Sequence, residues 1–323
     1  MSLFTSGWAL ARTKPFRLGS TKLLGRWGNN GQNQDKLFLT CMEARPGYLF
    51  VQCDQSGADA LIVAYEAPAG KFRRLFELGI KPHTYMALQL FLDKFVPLDR
   101  ARYDAVDPDV LSRYAEWPGL NKLIKESDLE YGLGKTTIHA SNYDMKWPTF
   151  RDYVLVRSEC KTILSASQAK AFLQVHKKVF HEIVEWQNRV RAEVEMTRTL
   201  HNLFGHPRQF NGRMSEELIR DAYSWVPAST VAEITNNACC ALQAEIDKGY
   251  QAHFINNKHD SFAAEVPEAA ALEAAKFMQS LIEVNLTASD GTKFRMRSEA
   301  SIGKNLGKWD AKKNPDGMKE VKL

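Results

Sequence analysis

Long apolar runs are absent from this sequence. No stretch of its 323 residues approaches the ~18 consecutive apolar residues that a membrane-spanning helix requires. The N-terminal apolar stretch is too short and too broken for a secretory signal peptide. These two absences predict a protein that has no membrane partner.

The C-x-x-C spacing that is typical of zinc sites is absent as well. The five cysteines form no C-x-x-C pair, so a zinc site is not expected, and their odd number and dispersed spacing predict a protein of the reducing cytoplasm. The net charge of +5 is mild, and it permits nucleic-acid binding without predicting it. With 44% hydrophobic and 25% charged residues, the composition is that of a globular protein with one large domain or two.

The first half of the chain contains one clear strand-to-helix unit. Residues 48–53 form a short apolar run, which predicts a buried strand that ends at Asp54. Residues 57–67 then predict a helix, and another helix is expected after His83. Residues 1–40 show little periodicity and predict irregular, basic loops.

The second half predicts long helices and one hairpin. Apolar side chains at helical spacing predict a single helix over residues 165–198, which starts with a capping box of Ser165 and Gln168. Strands with long helices indicate an α/β or α+β fold. The other predicted elements are a helix from Ser229 to Gly249, a β-hairpin within 251–266, a helix from Pro267 to Leu281, and a solvated tail with Lys312, Lys313, Lys319 and Lys322.

Two aspartates stand where a protein can hold a metal ion. Asp54 ends a buried strand and precedes a helix, which places a carboxylate on a rigid element. Asp260 lies at the predicted hairpin turn, where a carboxylate can project into a cleft. The alternative interpretations are a helix N-cap at Asp54 or Ser56, and ordinary turn chemistry at Asp260.

Three polar side chains recur at intervals of four in GKTTIHASNYDM. Lys135, His139 and Tyr143 therefore lie on one face of a predicted helix. A lysine, an imidazole and a phenol on one face could meet a phosphate, a base and a sugar. The alternative is a solvated lysine above two half-buried rings.

The order of these segments resembles the palm and fingers of family-A DNA polymerases, of the bacterial DNA polymerase I and phage type. The family's first motif is a strand, D-x-S-x-x-E and a helix, to which PGYLFVQCDQSGADALIVAYEA is similar. The fingers motif G-K-x-x-x-H-A-x-N-Y of phage members matches residues 134–143, and H-D-S matches residues 259–261. Similar flanking motifs, which extend the resemblance to about residues 14–310, are RLGS at 17–20, NGQN at 30–33, LFG at 203–205 with Arg208, AYSWVPASTVAE at 222–233 and SIGKNLGKW at 301–309.

The resemblance implies a palm sheet with a mainly helical fingers subdomain. Residues 1–60 and 191–323 would form the two parts of the palm, the second with the catalytic hairpin, and residues 61–190 the fingers. The family's thumb and exonuclease domains have no counterpart in the sequence. We therefore expect a partner chain, or a longer parent protein, that supplies them in a bacterial or phage-infected cell.

The resemblance also implies a reaction. A template-directed DNA polymerase transfers a nucleotide from a dNTP to a primer 3′-hydroxyl, with two Mg²⁺ ions (or Mn²⁺) held by Asp54 and Asp260. Lys135, His139 and Tyr143 would bind the nucleotide, and Asp59 would exclude a 2′-hydroxyl. The residues that would touch primer–template DNA are Arg17, Gln32, Asn33, Arg208, Ser224, Ala228 and His259.

Five positions depart from the family pattern. Asp59 replaces a glutamate, Tyr131 the fingers arginine, and Asp144 the glycine after the fingers tyrosine. Ser224 and Ala228 replace an asparagine and a glutamine that face the minor groove. These changes affect nucleotide and template binding but leave both metal-binding aspartates.

Two alternative functions follow. The loss of the fingers arginine at Tyr131 favours a non-catalytic or split nucleic-acid-binding subunit, while the two retained aspartates argue against it. A single-subunit RNA polymerase shares the palm but lacks an acid at the Asp59 position.

Overall fold

The structure, a computed structural model, describes residues 7–9, 19–21, 34 and 36–323. These residues form two compact units that mix helices and strands, as the sequence predicts. The first unit contains the described residues up to Asp59, Asn202–His206 and Trp225–Leu323. The second contains Ala60–His201 and Pro207–Ser224. Arg17, Gln32, Asn33 and most of the segment predicted to be irregular lie outside the described residues.

The main sheet of the first unit is antiparallel and has five strands in the order β11-β10-β3-β7-β6. Three two-stranded sheets pair β1 with β2, β4 with β5 and β8 with β9. The strands are β1 (Gly7–Ala9), β2 (Gly19–Thr21), β3 (Tyr48–Gln55), β4 (Thr199–His201), β5 (Pro207–Gln209), β6 (His253–Lys258), β7 (Ser261–Pro267), β8 (Asn285–Thr287), β9 (Lys293–Arg295), β10 (Ser298–Gly303) and β11 (Lys319–Val321).

Helices make up most of the second unit, and the first unit has helices of its own. Glu268–Ala270 adds one 3₁₀ turn. The helices are α1 (Lys36–Thr40), α2 (Ala58–Glu66), α3 (Lys71–Glu77), α4 (Pro82–Leu90), α5 (Leu92–Phe95), α6 (Arg100–Tyr103), α7 (Pro108–Ser112), α8 (Trp117–Glu126), α9 (Asp128–Asn142), α10 (Trp147–Arg157), α11 (Ala166–Val179), α12 (His181–Thr197), α13 (Glu216–Asp247) and α14 (Ala271–Ile282).

The central strand β3 has one buried and one more open face. Val51 and Cys53 are fully buried, and the Cys53 thiol points to the Ala275 carbonyl of α14. Gln52 and Asp54, which alternate with them, are only half-buried. Because successive side chains of a strand point to opposite faces, α14 covers one side of the sheet and Asp54 projects from the other.

In the second unit, side chains from a neighbouring and a distant segment satisfy the carbonyl groups at helix ends. The buried guanidinium of Arg73 donates to the carbonyls of Ala64 and Ala67, at the end of α2. The Gln187 amide donates to the carbonyls of Ser141 and Asn142, at the end of α9. A helix leaves its last four carbonyls without intrahelical partners, so these contacts stabilise both ends.

Helices α4 and α9 cross at a glycine of the motif that resembles the fingers. A Cβ atom added to Gly134 would lie 2.6 Å from the carbonyl oxygen of His83 and 2.8 Å from the backbone nitrogen of Ala87. Only a residue without a side chain allows the two backbones to approach this closely. Gly134 therefore sets the distance between α4 and α9.

The prediction of one helix over residues 165–198 is wrong, although its capping box of Ser165 and Gln168 is confirmed. The helix breaks at Phe180, which is fully buried and has φ −120° and ψ 64°. The Phe180 ring packs 4.9 Å from the ring of Phe72 and 5.8 Å from that of Tyr85. These contacts lie far away in sequence, so helical periodicity on both sides could not reveal the break.

Two other boundaries also differ from the sequence prediction. Helix α13 begins at Glu216 rather than near Ser229, and it continues through Pro227. Proline removes one helical hydrogen bond, but the side chains on both sides of Pro227 are buried, and this packing outweighs the loss. The C-terminal lysines are exposed as expected, but they do not lie on a free tail, because Lys319–Val321 forms β11 and pairs with β10.

The predicted hairpin and the helix that follows it are present, with small shifts at their ends. Strand β3 extends one residue beyond Asp54, so Asp54 lies within the strand and is not the residue that precedes α2. All five cysteines lie in the described part of the chain and are free thiols. Among the described residues, no helix combines the length and the apolar character needed to cross a membrane.

A buried histidine predicts that acid destabilises the second unit. Burial, with a smaller effect of the Lys177 charge, lowers the pKa of His176 to about 3. Histidine titrates near pH ~6.5 in an unfolded chain, so below that pH the unfolded state gains a proton that the folded state refuses. The contribution of neutral His176 to the free energy of unfolding is therefore fully present above pH ~6.5. It decreases by up to ~1.4 kcal/mol per pH unit as the pH falls toward the pKa of His176 in the folded state.

We expect His176→Leu to reduce the loss of stability between pH ~7 and pH ~4.5, as measured by urea unfolding at both values. His201→Leu removes an exposed histidine of the same unit and serves as the control. We expect this variant to lose as much stability between the two pH values as the wild type does. Equal pH dependence in both variants would show that His176 takes up its proton as readily in the folded state as in the unfolded state.

Candidate functional site

The two predicted metal-binding aspartates lie at the same end of neighbouring central strands. Asp54 is paired in register with Ser261, the first residue of β7. Asp260 directly precedes Ser261, in the turn His259–Asp260 that joins β6 to β7. The backbone nitrogen of Gln55 donates to the Asp260 carbonyl at 2.9 Å. The structure thus places next to each other two acids that are separated by most of the chain.

A third acid, which the sequence did not reveal, lies on the other side of Asp54. Glu299 of β10 is its register partner and is exposed. Directly opposed residues of antiparallel strands project from the same face of a sheet. Buried Ser298 and Ala300 alternate with exposed Glu299 along β10, but this burial is a property of the fold, and the sequence carries no signal that β10 pairs with β3.

The carboxylates at this end of the sheet match the coordination that magnesium prefers. Among the described residues, no group of three or more histidine, cysteine, aspartate or glutamate side chains could hold a metal ion. Magnesium usually takes one or two carboxylates, and water and substrate phosphates complete its coordination. Asp54 and Asp260 therefore fit a magnesium site that is completed by substrate.

Cys53, which directly precedes Asp54, does not add a metal ligand to this pair. Burial, with smaller effects of the carboxylates of Glu283 and Asp54, raises the pKa of Cys53 to about 12. A thiol binds metals as the thiolate, so Cys53 is not a ligand at neutral pH. It also points to the opposite face of the sheet from Asp54.

In the second unit, helix α9 carries the residues predicted to bind the nucleotide. Lys135 and His139 are exposed, and Tyr143 directly follows the last residue of the helix. The His139 ring meets the Tyr143 ring edge-on at 5.4 Å and stacks with the Tyr153 ring at 6.1 Å. The helix thus presents a lysine and a cluster of aromatic rings.

Tyr131, in place of the family's arginine, packs against a histidine. Its ring meets the ring of His83 edge-on at 6.0 Å. Burial, followed by the charges of Lys135, Lys81 and His139, lowers the pKa of His83 to about 4. His83 is therefore neutral at physiological pH, and the lysines create a positive potential that suits a phosphate.

Asp144, in place of the family's glycine, has the left-handed conformation that favours glycine, with φ 49°. It forms ion pairs with Lys146 at 2.6 Å and with Lys177 at 3.2 Å. Burial opposes ionisation, but the hydrogen bond from Lys146 and the charge of Lys177 outweigh it and hold the pKa of Asp144 below its usual value. Two lysines thus stabilise an aspartate where backbone geometry favours glycine.

The remaining predicted site residues are held in different ways. Arg208 lies over the Phe210 ring at 4.3 Å and pairs with Asp221 at 3.4 Å. The Ser224 hydroxyl donates to the Asp221 carbonyl. Ala228 is buried within α13, and Asp59 lies in the first turn of α2, where a helix favours negative charge.

Comparison with known proteins identifies the fold. No family model and no curated protein matches the sequence. A similar solved structure is that of the POL domain of Pol1 from M. smegmatis in complex with DNA primer-template and dNTP. The TM-score is 0.64 at 16% sequence identity, and the match covers 93% of this chain and 47% of that chain.

The fold is therefore that of a polymerase domain. More particularly, it is the fold of the polymerase domain of bacterial Pol1, a family-A enzyme, which confirms at the level of the fold the resemblance seen in the sequence. The chain spans about half the length of its structural neighbour.

Proposed function

We propose that this chain is a template-directed DNA polymerase that adds nucleotides from dNTPs to a primer 3′-hydroxyl. The observation that carries the proposal is the pair of Asp54 and Asp260 at one end of adjacent central strands, in a fold similar to that of a polymerase domain. In this proposal residues 1–60 and 191–323 act as the palm and residues 61–190 as the fingers.

Asp54 and Asp260 would hold two divalent ions, with magnesium as the natural choice and manganese as a substitute. When bound, these ions supply charge neutralisation and a more acidic primer hydroxyl. The protein's own contribution is to fix the two carboxylates at one end of the sheet, Asp54 on β3 and Asp260 in the turn before β7. Such positioning is most of what a protein provides in phosphoryl transfer.

The second unit would bind the incoming nucleotide. Lys135 would place a point charge on the triphosphate. His139 would pack against the nucleotide, and Tyr143 would stack at the new base pair. Tyr131 cannot form the bidentate hydrogen bonds that an arginine makes to phosphate, so in this proposal Lys135 is the main contact to the triphosphate.

Primer–template DNA is the proposed macromolecular ligand. His259 would support the primer terminus, and a partner chain or further domain would supply the grip of a thumb. The other residues proposed to contact the DNA, mainly its backbone and minor groove, are Arg17, Gln32, Asn33, Arg208, Ser224 and Ala228.

Primer extension tests the proposal directly. A labelled DNA primer on a longer template, with dNTPs and Mg²⁺, should grow by the nucleotides that the template specifies, and a chelator should stop it. A blunt duplex is the control and should not be extended. If neither Mg²⁺ nor Mn²⁺ supports extension, the proposed polymerase activity is rejected. The result would favour a non-catalytic nucleic-acid-binding subunit, which is also favoured by Tyr131 in place of the family's arginine.

Asp59 is the proposed sugar-selecting acid. We expect Asp59→Ala to lower the preference for dNTPs over rNTPs, because a smaller side chain leaves room for a 2′-hydroxyl. The measurement is the ratio of kcat/KM values for dATP and ATP. Asp59→Glu, which restores the acid usual in the family, should keep the wild-type preference. If the ratio is unchanged in the alanine variant, another residue excludes ribonucleotides.

A further inference from the structure

The turn that carries Asp260 is tied to helix α13 by two buried polar side chains. Gln55 and Thr235 are each at most 1% exposed. The Gln55 side-chain amide donates to the Thr235 hydroxyl oxygen at 2.7 Å and to the Val231 carbonyl at 3.1 Å. The Thr235 hydroxyl lies 3.2 Å from the His259 carbonyl, which it can reach as a donor. A chain of polar contacts therefore runs from β3 through α13 to the turn.

The single hydroxyl hydrogen of Thr235 has two carbonyls within reach. One belongs to Val231, at 3.0 Å, and the other to His259. The Val231 carbonyl already accepts from the helical N–H of Thr235 and from Gln55, which uses both of its lone pairs. We therefore expect the Thr235 hydroxyl to donate to the His259 carbonyl, and this hydrogen bond fixes the turn.

The turn needs such support because its backbone is strained. His259 has φ 57°, a left-handed conformation that is unfavourable for a residue with a side chain. The Asp260 carbonyl is held by the backbone nitrogen of Gln55. Gln55, which directly follows Asp54, thus restrains both peptide groups of the turn, one directly and one through Thr235.

We propose that Gln55 and Thr235 are positioning residues that fix the Asp260 carboxylate relative to Asp54 and so set the affinity for the divalent ions. This inference rests on the proposed polymerase function. Stability alone does not explain the pair, because Oε1 of Gln55 is buried without a hydrogen-bond partner among the described residues. An apolar pair would avoid that unsatisfied oxygen.

Thr235→Val tests the inference, since it removes the hydroxyl and keeps the volume. We expect about a tenfold weaker affinity for Mn²⁺, as is typical when a residue that orients a metal ligand is changed. The affinity is measured by electron paramagnetic resonance of free Mn²⁺, with dideoxy-terminated primer–template and dNTP present. Amide hydrogen exchange at Gln55 should become faster, because its acceptor lies in the released turn.

Two further variants separate positioning from folding. Thr235→Ser keeps the hydroxyl and should restore Mn²⁺ affinity. Ser229→Ala removes another buried hydroxyl of α13, one that donates to the Val226 carbonyl of the same helix, and should leave Mn²⁺ affinity unchanged. Should Thr235→Val fail to fold, Gln55→Met, which removes the amide donor, takes its place with the same expected result.

The outcomes are distinct. If the wild type extends primers and Thr235→Val binds Mn²⁺ as tightly as the wild type does, the positioning role is wrong and the polymerase stands. If Thr235→Ser and Ser229→Ala lose as much affinity as Thr235→Val, the loss reflects general packing, and the inference is overturned. If the wild type neither extends primers nor binds Mn²⁺, the proposed function fails and the inference fails with it.

Discussion

Replacing Asp54 or Asp260 with asparagine should reduce primer extension by at least about a hundredfold, the loss seen when one charge-stabilising group is removed from an active site. Asparagine has nearly the same shape as aspartate but no charge, so it cannot neutralise a divalent ion. Both side chains are only half-buried, and the substitutions should leave the fold intact. The measurement is the single-turnover rate of nucleotide addition at saturating Mg²⁺, together with the melting temperature.

A matched control removes the same charge elsewhere in the first unit. Asp316 is exposed, and its backbone carbonyl rather than its side chain accepts hydrogen bonds from Lys304 and Asn305. Asp316→Asn should extend primers at the wild-type rate. Extension by Asp54→Asn or Asp260→Asn at a rate near that of Asp316→Asn would reject both aspartates as metal ligands.

Replacing Gly134 with alanine should destabilise the second unit by about 3 kcal/mol, at the upper end of the usual cost of overpacking. The added Cβ would lie 2.6 Å from a backbone oxygen of α4 and 2.8 Å from a backbone nitrogen. Backbone atoms cannot turn aside as a flexible side chain can, so α4 and α9 must move apart and lose core contacts. Urea unfolding followed by circular dichroism measures the loss.

The control for this substitution lies two residues earlier on the same helix. A Cβ atom at Gly132 would have no neighbour within 4 Å. Gly132→Ala should therefore stabilise the protein by roughly 0.5–1 kcal/mol, because alanine favours a helix over glycine. If both variants were equally stable, α4 and α9 would not approach as closely as the structure places them.

The features that the sequence predicted correctly are local ones. The apolar run before Asp54 predicted β3, two short runs on either side of residues 258–261 predicted the hairpin, and Ser165 with Gln168 predicted a helix start. Each signal lies within a few residues, where backbone sterics and side-chain alternation act directly.

The features that the sequence did not predict depend on contacts between distant residues. Phe180 breaks a periodic segment because its ring packs on residues of α3 and α4. Glu299 joins the site only because β10 pairs with β3. Gln55 lies just beyond the predicted end of the strand and Thr235 lies within a predicted helix, and only the fold brings their side chains to 2.7 Å.

The strand order of the main sheet has a consequence for how the protein folds during synthesis. Strand β3 is made early, but its neighbours β7 and β10 follow more than 200 residues later, as the pairs of Asp54 with Ser261 and Glu299 show. Pairings between such distant segments form slowly, because long loops must close before any contact rewards them. The second unit is nearly continuous in sequence and can fold first. During that time both edges of β3 remain unpaired, because β7 and β10 have not yet been synthesised. We therefore expect chaperone binding to the nascent chain to be strongest between the synthesis of β3 and that of β10.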